Sequence, residues 1–454
     1  MKSFPIAALA KIINSSSSNN FNGCLTGITI DSRAVKAGDC FFAIKGDNFD
    51  GHDYVTKAFE NGASCAVVNK NHPCDNWPGD KIILKVDDTL QSLADFAGEY
   101  RKQQKFKVVA ITGSVGKTTT RRIVAHVLSK HYNVFQSPAN FNNNIGLPIT
   151  LLGADPQHEI IIAELGSNYP GEIEYLSKIA APDIAAVTTV TAAHLLGFKN
   201  IDNIIEEKLS IAAGLADDGL LIVNEKLKKP CQTRNLRFTT FGQSASADIF
   251  AEDILYSDFS SSFKIAGVKI DLPLPGPGNV ENTIASWAIC KALGVSIEDF
   301  ADGIKTVKAA SMRTETIRIG DVTILADCYN ANPASMKNAL AILSNMKSSK
   351  TGRKVFICGD MGELGSESKS LHEQLGLDIS GTDIDILITV GELSAITAQI
   401  AEQNSDIEIK SFKDVVSACN NLEKIIKDSD IVLVKGSRSA KLELTIEKIN
   451  QLFS

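Results

Sequence analysis

Residues 108–119 read VVAITGSVGKTT, and the order of residue types in this stretch decides the fold of the region around it. The apolar run from Val108 to Thr112 predicts a buried strand, and the stretch from Lys117 to Ser129 predicts a helix. A glycine-containing turn between a strand and a helix is typical of a phosphate-binding loop, because backbone N–H groups approach an anion at the helix N-terminus. The stretch therefore opens an α/β unit with a candidate phosphate site.

The loop differs from the strict G-x-x-x-x-G-K-[ST] pattern, since Ile111 stands where the first glycine would be. Lys117 still supplies a positive charge, and Thr118 supplies a hydroxyl that can ligate magnesium. A tight turn with an exposed lysine is the alternative, but the flanking strand and helix favour phosphate binding. The residues predicted to contact phosphate are Gly113, Ser114, Val115, Gly116, Lys117, Thr118 and Thr119.

Apolar runs that predict further buried strands recur along the chain, with helical stretches between them. They span residues 160–163, 184–190, 220–223, 322–325, 355–358, 384–389 and 431–434. Asn332 and Pro333 predict the start of a helix, as its cap and its first residue. The alternation predicts an α/β protein with a central parallel sheet covered on both faces and a second, Rossmann-like unit at the end.

The length of 454 residues suggests about three domains. A polar run that ends at Lys105 predicts the first boundary. We expect an N-terminal α/β domain over residues 1–105, a central P-loop-type domain with a parallel sheet over 106–312, and a C-terminal Rossmann-like domain over 313–454.

Composition excludes several classes of protein. With 46 basic and 53 acidic residues the net charge is -7, so the chain lacks a broad basic surface for nucleic acid. The nine cysteines show no CxxC pair, as expected of reduced thiols in a cytosolic protein. No apolar stretch approaches the roughly 18 residues of a membrane span, and the first apolar run is too short for a signal peptide. We expect a cytoplasmic protein without a nucleic-acid partner.

Three further side chains are candidates for chemistry at a phosphate site. Glu164 ends a predicted strand, where ligands of open α/β sheets bind, so it is either a magnesium ligand or a solvated acid. His194 follows the next predicted strand and is either a metal ligand or structural. Lys208 shares a helical face with apolar residues, so it either extends its ammonium to solvent or is a buried nucleophile, including towards carbon dioxide.

Two polar clusters follow predicted strands in the last third, DCYNANP at 327–333 and KGSR at 435–438. Amide side chains can both donate to and accept from a zwitterionic ligand, while lysine and arginine suit carboxylate or phosphate. Loop capping explains each cluster equally well.

These motifs, in this order, resemble the Mur ligases of peptidoglycan synthesis over essentially the whole chain. The motifs that carry the resemblance are DSR at 31–33, FAIKG at 42–46, DGH at 50–52, the loop at 112–119, NFNNNIGLP at 140–148, ELG at 164–166, AHL at 193–195, Lys208, YNANP at 329–333, GDMGELG at 359–365 and KGSR at 435–438. The last three motifs most resemble the family members that add a D-Ala-D-Ala dipeptide.

The resemblance implies an ATP-dependent ligase that uses UDP-MurNAc-tripeptide and D-Ala-D-Ala through an acyl phosphate, and we expect it to be a monomer. It implies Mg²⁺ sites at Thr118 with Glu164 and at His194 with a carbamylated Lys208. Catalytic roles are thereby implied for Lys117, Glu164, His194 and Lys208, and nucleotide contacts for Asn279, Asn282, Arg313 and Asp327. Substrate contacts are implied for Ser32, Arg33, Lys45, Gly46, Asn142, Asn143, Asn330, Asn332 and Arg438.

Other functions remain as alternatives at this point. Another amino-acid-adding Mur ligase and a folylpolyglutamate synthase belong to the same superfamily, but YNANP argues for the dipeptide-adding members and DSR against the folate enzyme. A catalytically weak paralogue that binds UDP-muramyl peptide is a third alternative. It is motivated by departures from the family pattern at Thr189, Leu196, Pro277, Gly278 and Ala326. We expect an active enzyme because the phosphate loop, Glu164, His194 and Lys208 are retained.

Overall fold

The computed structural model describes residues 1, 3–16, 21–73, 77, 81–347 and 352–454. One of the nine cysteines, Cys74, lies outside these ranges, and the eight cysteines within them are free thiols.

The N-terminal part of the chain is an α/β unit with a small parallel sheet. Its elements are β1 (Phe4–Pro5), α1 (Ile6–Ile12), β2 (Cys24–Leu25), β3 (Gly27–Thr29), β4 (Asp39–Phe42), α2 (Val55–Glu60), β5 (Cys65–Asn69), β6 (Ile82–Val86) and α3 (Thr89–Gln103). Strands β3, β4, β5 and β6 pair in that order and in parallel, while β1 and β2 form an antiparallel pair. Helix α3 begins after Asp88, whose carboxylate accepts from the N–H groups of Leu90 and Gln91.

The central part is built on a seven-stranded parallel sheet. Its elements are β7 (Lys107–Thr112), α4 (Lys117–Leu128), β8 (Val134–Gln136), α5 (Gly146–Gly153), β9 (Ile160–Glu164), α6 (Glu172–Ala180), β10 (Ile184–Val187), α7 (Leu195–Phe198), α8 (Ile201–Leu209), β11 (Leu220–Asn224), α9 (Lys228–Thr233), β12 (Phe238–Gly242), β13 (Ile249–Phe250), β14 (Glu252–Tyr256), β15 (Ser261–Ile265), β16 (Val268–Leu272), α10 (Pro277–Ala292) and α11 (Ile297–Ile304). The sheet order is β13-β12-β11-β10-β7-β9-β8, and β14 to β16 form a separate antiparallel sheet. The strand order reverses at β7, which is where open α/β sheets bind ligands.

The C-terminal part has a six-stranded sheet of order β17-β18-β22-β19-β20-β21, in which only the pair at the β17 edge is antiparallel. These strands and the helices around them are β17 (Glu315–Ile319), β18 (Val322–Ala326), α12 (Pro333–Asn345), β19 (Lys354–Gly359), α13 (Ser368–Ser380), β20 (Ile386–Val390), α14 (Ser394–Asn404), β21 (Glu408–Phe412), α15 (Val415–Cys419), α16 (Leu422–Ile425), β22 (Ile431–Lys435) and α17 (Glu443–Phe453). The predicted cap of α12 is confirmed, because Asn332 and Ser335 form a reciprocal capping box.

The predicted α/β class with parallel sheets is therefore confirmed. The strands of the three large sheets fall within residues 1–105, 106–312 and 313–454, and the limits of the domains stay a prediction. None of the helices in the described part of the chain combines the length and the apolar composition needed to cross a bilayer.

The N-terminal and central parts share one hydrophobic core. Phe42 and Phe96 from the N-terminal part belong to the same buried cluster as Leu151 and Ile161 from the central part. Tyr100 at the end of α3 donates from its hydroxyl to the carbonyl of Ala154, at 2.9 Å. The C-terminal sheet instead has clusters of its own on its two faces.

Candidate active site

A cavity of about 1170 Å³ lies between the central and C-terminal parts. The carboxyl ends of strands from both sheets contribute to it, as parallel α/β sheets lead one to expect. The predicted site residues that line it are Ser114, Val115, Gly116, Lys117, Thr118, Thr119, Asn142, Asn143, Glu164, His194, Asn279, Asn282, Arg313, Asp327, Asn330 and Asn332. The predicted residues outside its lining are Gly113, Lys208, Ser32, Arg33, Lys45, Gly46 and Arg438.

The phosphate loop joins β7 to α4 in a conformation that requires glycine at two positions. Gly113 has a φ of 145° and Gly116 a φ of 92°, both in the region that side chains rarely adopt. Lys117 donates from Nζ to the carbonyl of Gly113, at 2.7 Å. Burial lowers the pKa of Lys117, a direction that the carboxylate of Glu164 opposes and the guanidinium of Arg313 reinforces. A half-buried ammonium that forms no ion pair with a carboxylate in the described part of the chain is well placed to pair with phosphate.

The backbone N–H groups of the loop are divided between two tasks. Those of Ser114 and Val115 donate to the carbonyl of Thr189, at 2.9 and 3.2 Å, and so fix the loop to the segment after β10. The first turn of α4, which begins at Lys117, has N–H groups without intrahelical acceptors. The helix N-terminus is therefore the part of the loop that is free to bind an anion.

Glu164 is a buried acid in the wall of the cavity, with 3% of its surface exposed. Thr118 donates from Oγ1 to its Oε2 at 2.9 Å, and Asn142 donates from Nδ2 to its Oε1 at 3.1 Å. Nε of Arg121 lies 3.4 Å from Oε2 of Glu164, and the guanidinium balances part of the negative charge of this carboxylate. A buried carboxylate beside a hydroxyl is a set of hard oxygen donors, so Thr118 and Glu164 fit a magnesium ion as they stand.

Lys208 is almost fully buried and donates from Nζ to the hydroxyl of Ser167, at 2.5 Å. Burial and the charge of Lys117 lower its pKa to about 7, against the opposing effect of Glu207. The carboxylate of Glu207 is itself occupied, because it accepts from the N–H groups of Gly171 and Ile173. An amine nitrogen is a poor magnesium ligand, so Lys208 suits a metal site only after conversion to an oxygen-bearing group.

The C-terminal wall of the cavity contains a buried ion pair. Lys435 donates from Nζ to Oδ2 of Asp327 at 2.6 Å and to the carbonyl of Asn330 at 3.1 Å. The other carboxylate oxygen of Asp327 accepts from the N–H of Thr314, at 3.0 Å. Arg313 lies over the ring of Tyr329, 4.2 Å from its centre. The segment 329–333 is thus held by Lys435 at the end of β22 and by Arg313, which precedes β17.

Arg438 lies outside this wall. Its exposed guanidinium pairs with Glu443 at 3.1 Å. Its predicted substrate contact stays a prediction.

Helix α10 begins where the central and C-terminal parts meet. Gly278 donates its N–H to Oδ1 of Asn338 on α12, at 2.8 Å, and a Cβ at position 278 would crowd that amide. Gly276 has a φ of 87°, and a Cβ there would overlap the side chain of Ile342 on α12. Glycine at 278, a departure from the family pattern, is thus matched by the close approach of α12.

Thr189 is a second residue that departs from the family pattern. Its hydroxyl donates to Oε2 of Glu281 at 2.8 Å, and the amide nitrogen of Asn224 donates to Oε1 of the same carboxylate at 2.7 Å. Ala326, a third departure, is buried at the end of β18. Leu196, a fourth, is 70% exposed.

The contact at Gly276 leads to a testable prediction. We expect Gly276→Ala to disfavour the packing of α12 against the start of α10, and with it the observed arrangement of the central and C-terminal parts, by about 1–3 kcal/mol, because its methyl group overlaps Ile342 in a packed contact. The variant should show a larger radius of gyration by small-angle scattering. The matched control is Gly267→Ala, since Gly267 has a similar φ of 80° but no atom within 4 Å of the position that a methyl group would take. Identical scattering from both variants would contradict the prediction.

Four of the predicted substrate-contact residues lie in the N-terminal part. Ser32 and Arg33 follow β3, while Lys45 and Gly46 follow β4. Since β3 and β4 are parallel neighbours, both segments lie at the same edge of the sheet. Arg33 donates from Nε and Nη2 to the two oxygens of Asp31, at 2.9 and 2.8 Å, and remains exposed.

Within the described residues, Asp50, His52 and His72 form a cluster close enough to hold a metal ion. His52 places Nδ1 2.5 Å from Asp50, and its Nε2 accepts from the N–H of Asn69 at 2.9 Å. Both ring nitrogens are thus occupied, which leaves no lone pair for a metal. The hydrogen bonds of His52 therefore favour a structural role for this cluster.

Comparison with known proteins identifies the class to which this fold and cavity belong. The Mur ligase family catalytic domain matches residues 25–101, the Mur ligase middle domain matches 111–290, and the Mur ligase glutamate ligase domain matches 312–438. The chain belongs to the Mur ligase family, as the sequence resemblance predicted. Within that family it is similar to MurF. The crystal structure of MurF from Acinetobacter baumannii matches with a TM-score of 0.90 at 30% identity over 99% of both chains.

Two further comparisons agree with that similarity. The UDP-N-acetylmuramoyl-tripeptide--D-alanyl-D-alanine ligase of Bacillus subtilis is 34% identical over 435 residues, which cover 93% of each chain. The structure of MurF ligase from Thermotoga maritima in complex with ADP has a TM-score of 0.80 at 28% identity, and covers 94% of this chain and 97% of that one.

Sequence reasoning missed several residues of the cavity region. Arg121 is buried and contacts the carbonyl of Ser137 besides Glu164. Its position three residues before Val124 on the apolar face of the predicted helix was a signal for burial. Asn338 and Glu363 also contact the central part. No local pattern marks Asn338, whereas Glu363 lies in the GDMGELG motif but was given no role.

Proposed function

We propose that this chain joins D-Ala-D-Ala to UDP-MurNAc-tripeptide at the expense of ATP, in the synthesis of peptidoglycan precursors. The observation that carries the proposal is one cavity lined both by the phosphate loop with Glu164 and by the amide-rich segment 329–333. The name of the B. subtilis relative describes this ligase activity, and the similarity covers nearly the whole of both chains.

In the proposed reaction, the terminal carboxylate of the tripeptide attacks the γ-phosphorus of ATP and ADP leaves. The amine of D-Ala-D-Ala then attacks the acyl phosphate, loses a proton and displaces phosphate. Lys117 and the first-turn N–H groups of α4 stabilise negative charge on the phosphates. Thr118 and Glu164 would hold a magnesium ion, which when bound would neutralise charge on the phosphate oxygens.

Lys208 is proposed to carry a carbamate. A pKa of about 7 leaves about half of the amine neutral at neutral pH, and a neutral amine adds to carbon dioxide with the release of one proton. The resulting group bears carboxylate-like oxygens, the donors that magnesium prefers. Lys208 and His194 are then the proposed residues of a second magnesium site.

The proposed dipeptide site lies on the C-terminal wall. Asn330 accepts from the N–H of Ala331 through its own Oδ1, which leaves its amide nitrogen as a donor for a carboxylate. Asn332 is also the cap of α12, so the rigid helix fixes its position. Asn279, Asn282, Arg313 and Asp327 are the proposed nucleotide contacts. Ser32, Arg33, Lys45, Gly46, Asn142, Asn143 and Arg438 are proposed to contact the UDP-sugar or its peptide.

An active ligase is favoured over a binding-only paralogue. The departures at Thr189 and Gly278 are each compensated by a hydrogen bond, to Glu281 and to Asn338. We also propose that the chain acts in the cytoplasm, where nucleotide-linked precursors and ATP are found, and as a monomer, since the cavity is formed by one chain.

The test is phosphate release by the purified chain with Mg²⁺-ATP, UDP-MurNAc-tripeptide and D-Ala-D-Ala, each omitted in turn. We expect release only when all three are present, with a pentapeptide product by mass spectrometry. Binding of the UDP-peptide without turnover would instead support the paralogue. Turnover with a single amino acid in place of the dipeptide would indicate a different Mur ligase.

A further inference from the structure

The motif GDMGELG at 359–365 has no role in the reaction as described so far. It begins at the last residue of β19 and lies against the segment that begins α7. Leu196 donates its N–H to the carbonyl of Glu363 at 3.1 Å, and Oε2 of Glu363 lies 2.5 Å from Nδ1 of His194. Gly365 approaches the backbone of Leu196 so closely that a Cβ would lie 3.3 Å from its Cα. The C-terminal part therefore contacts His194 through the side chain of Glu363 and Leu196 through its backbone.

We propose that Glu363 is a positioning residue that orients His194, so that the second metal site is complete only when the C-terminal part closes on the central part. This inference rests on the proposed function. Nδ1 of His194 faces the carboxylate of Glu363 in a close charged contact that is not aligned as a hydrogen bond in the described structure. With its proton on Nδ1, the side that the carboxylate attracts, the ring keeps the lone pair of Nε2 for a divalent cation in the cavity. Among the described residues, Nε2 of His194 has no protein partner, and His194 lines the cavity.

The backbone at this contact supports the inference. His194 has a φ of 54° and Glu363 a φ of 62°, and neither residue is glycine. Left-handed backbone costs about 1–2 kcal/mol at such a residue, so the contacts between the two segments have to maintain it.

Apolar packing extends the same contact. Leu371 on α13 packs against the small cluster of Leu195, Phe198 and Ile204. The ring of Phe198 in turn lies 5.4 Å from Nζ of Lys208. Both proposed ligands of the second metal thus depend on the segment that the C-terminal part covers.

The variant that tests the inference is Glu363→Gln, with Glu367→Gln as its control. Glu367 is exposed on the same loop and forms no side-chain contact with the central part in the described structure. We expect Glu363→Gln to weaken binding of Mn²⁺ in the presence of ADP by about 10–100-fold, measured by electron paramagnetic resonance. The KM of Glu363→Gln for ATP should stay within about twofold of the wild-type value. Its kcat should fall by about the same factor as its affinity for Mn²⁺. Glu367→Gln should behave as the wild type.

A double-mutant cycle separates positioning from simple structural support. In a His194→Ala background, Glu363→Gln should cause no further loss of Mn²⁺ affinity, because the residue acts through His194. Equal losses with and without His194 would overturn the inference. Glu363→Asp keeps the charge, so partial recovery of Mn²⁺ binding is expected, and a Mn²⁺ affinity no better than that of Glu363→Gln would also count against it.

These experiments separate failure of the positioning role of Glu363 from failure of the proposed ligase function. That function fails if the wild type forms no pentapeptide, whatever the Mn²⁺ result. The positioning role fails if His194→Ala weakens Mn²⁺ binding and Glu363→Gln does not. Long-range ¹H–¹⁵N spectra of the seven histidines provide a readout independent of turnover, in which the Nδ1-protonated form of His194 should be lost in Glu363→Ala.

Discussion

Lys117→Ala should lower kcat by at least about 10²–10³-fold, the usual effect of removing one donor to developing negative charge in a buried site. Lys117 is the charged residue at the N-terminus of α4, and its ammonium lies 2.7 Å from the carbonyl of Gly113. The loss should appear in steady-state phosphate release with all three substrates present. The unfolding temperature should not fall, because the substitution removes a charge whose pKa burial already lowers.

The matched control is Lys130→Ala, which removes an exposed lysine two residues after the end of α4, outside the cavity. It should leave phosphate release and unfolding temperature unchanged. Turnover by Lys117→Ala at the level of this control would remove the phosphate role from the loop.

Lys208→Ala should lower turnover by about 10²-fold, and formate or acetate should restore part of it. The substitution opens a buried space beside Ser167 that a short carboxylate can enter and where it can replace the oxygens of the carbamate. Turnover is measured with increasing formate, against chloride at the same ionic strength. Incubation of the wild type with ¹³C-bicarbonate should also give a carbamate signal in ¹³C spectra.

Lys208→Met is the control for this experiment, because methionine fills most of the lysine volume without an amine. It should be as inactive as Lys208→Ala, show no carbamate signal and gain nothing from formate. Full activity in either variant would mean that Lys208 only packs against Phe198 and bonds Ser167, the structural alternative that its sequence pattern left open.

The part of the site that depends on local pattern was predictable from sequence. The strand and helix around the phosphate loop begin or end within one residue of the predicted bounds, since apolar periodicity and the glycine turn both act locally. Glu164 was predictable because it ends an apolar run that forms β9. The strand predicted over 184–190 stops at Val187, because its partner β7 ends opposite it at Thr112, where the chain turns into the phosphate loop.

The contacts that close the cavity were not predictable, because they join segments far apart in the chain. Glu363 meets His194 across 169 positions, and Asn338 meets Gly278 across 60. Such pairs depend on how two finished sheets approach each other, which no window of sequence records. The burial of Lys208 was also not predictable from sequence, because the apolar helical face that carries it is compatible with both an exposed and a buried ammonium.

The hydrophobic core that the N-terminal and central parts share has a consequence for how the molecule loses its structure. Two sheets that bury one continuous apolar cluster unfold together, because opening either exposes the surface of both. The C-terminal sheet has separate clusters and is expected to open independently. Calorimetry should therefore resolve two cooperative units and not three, and the slowest amide hydrogen exchange of β4 and β7 should share one rate.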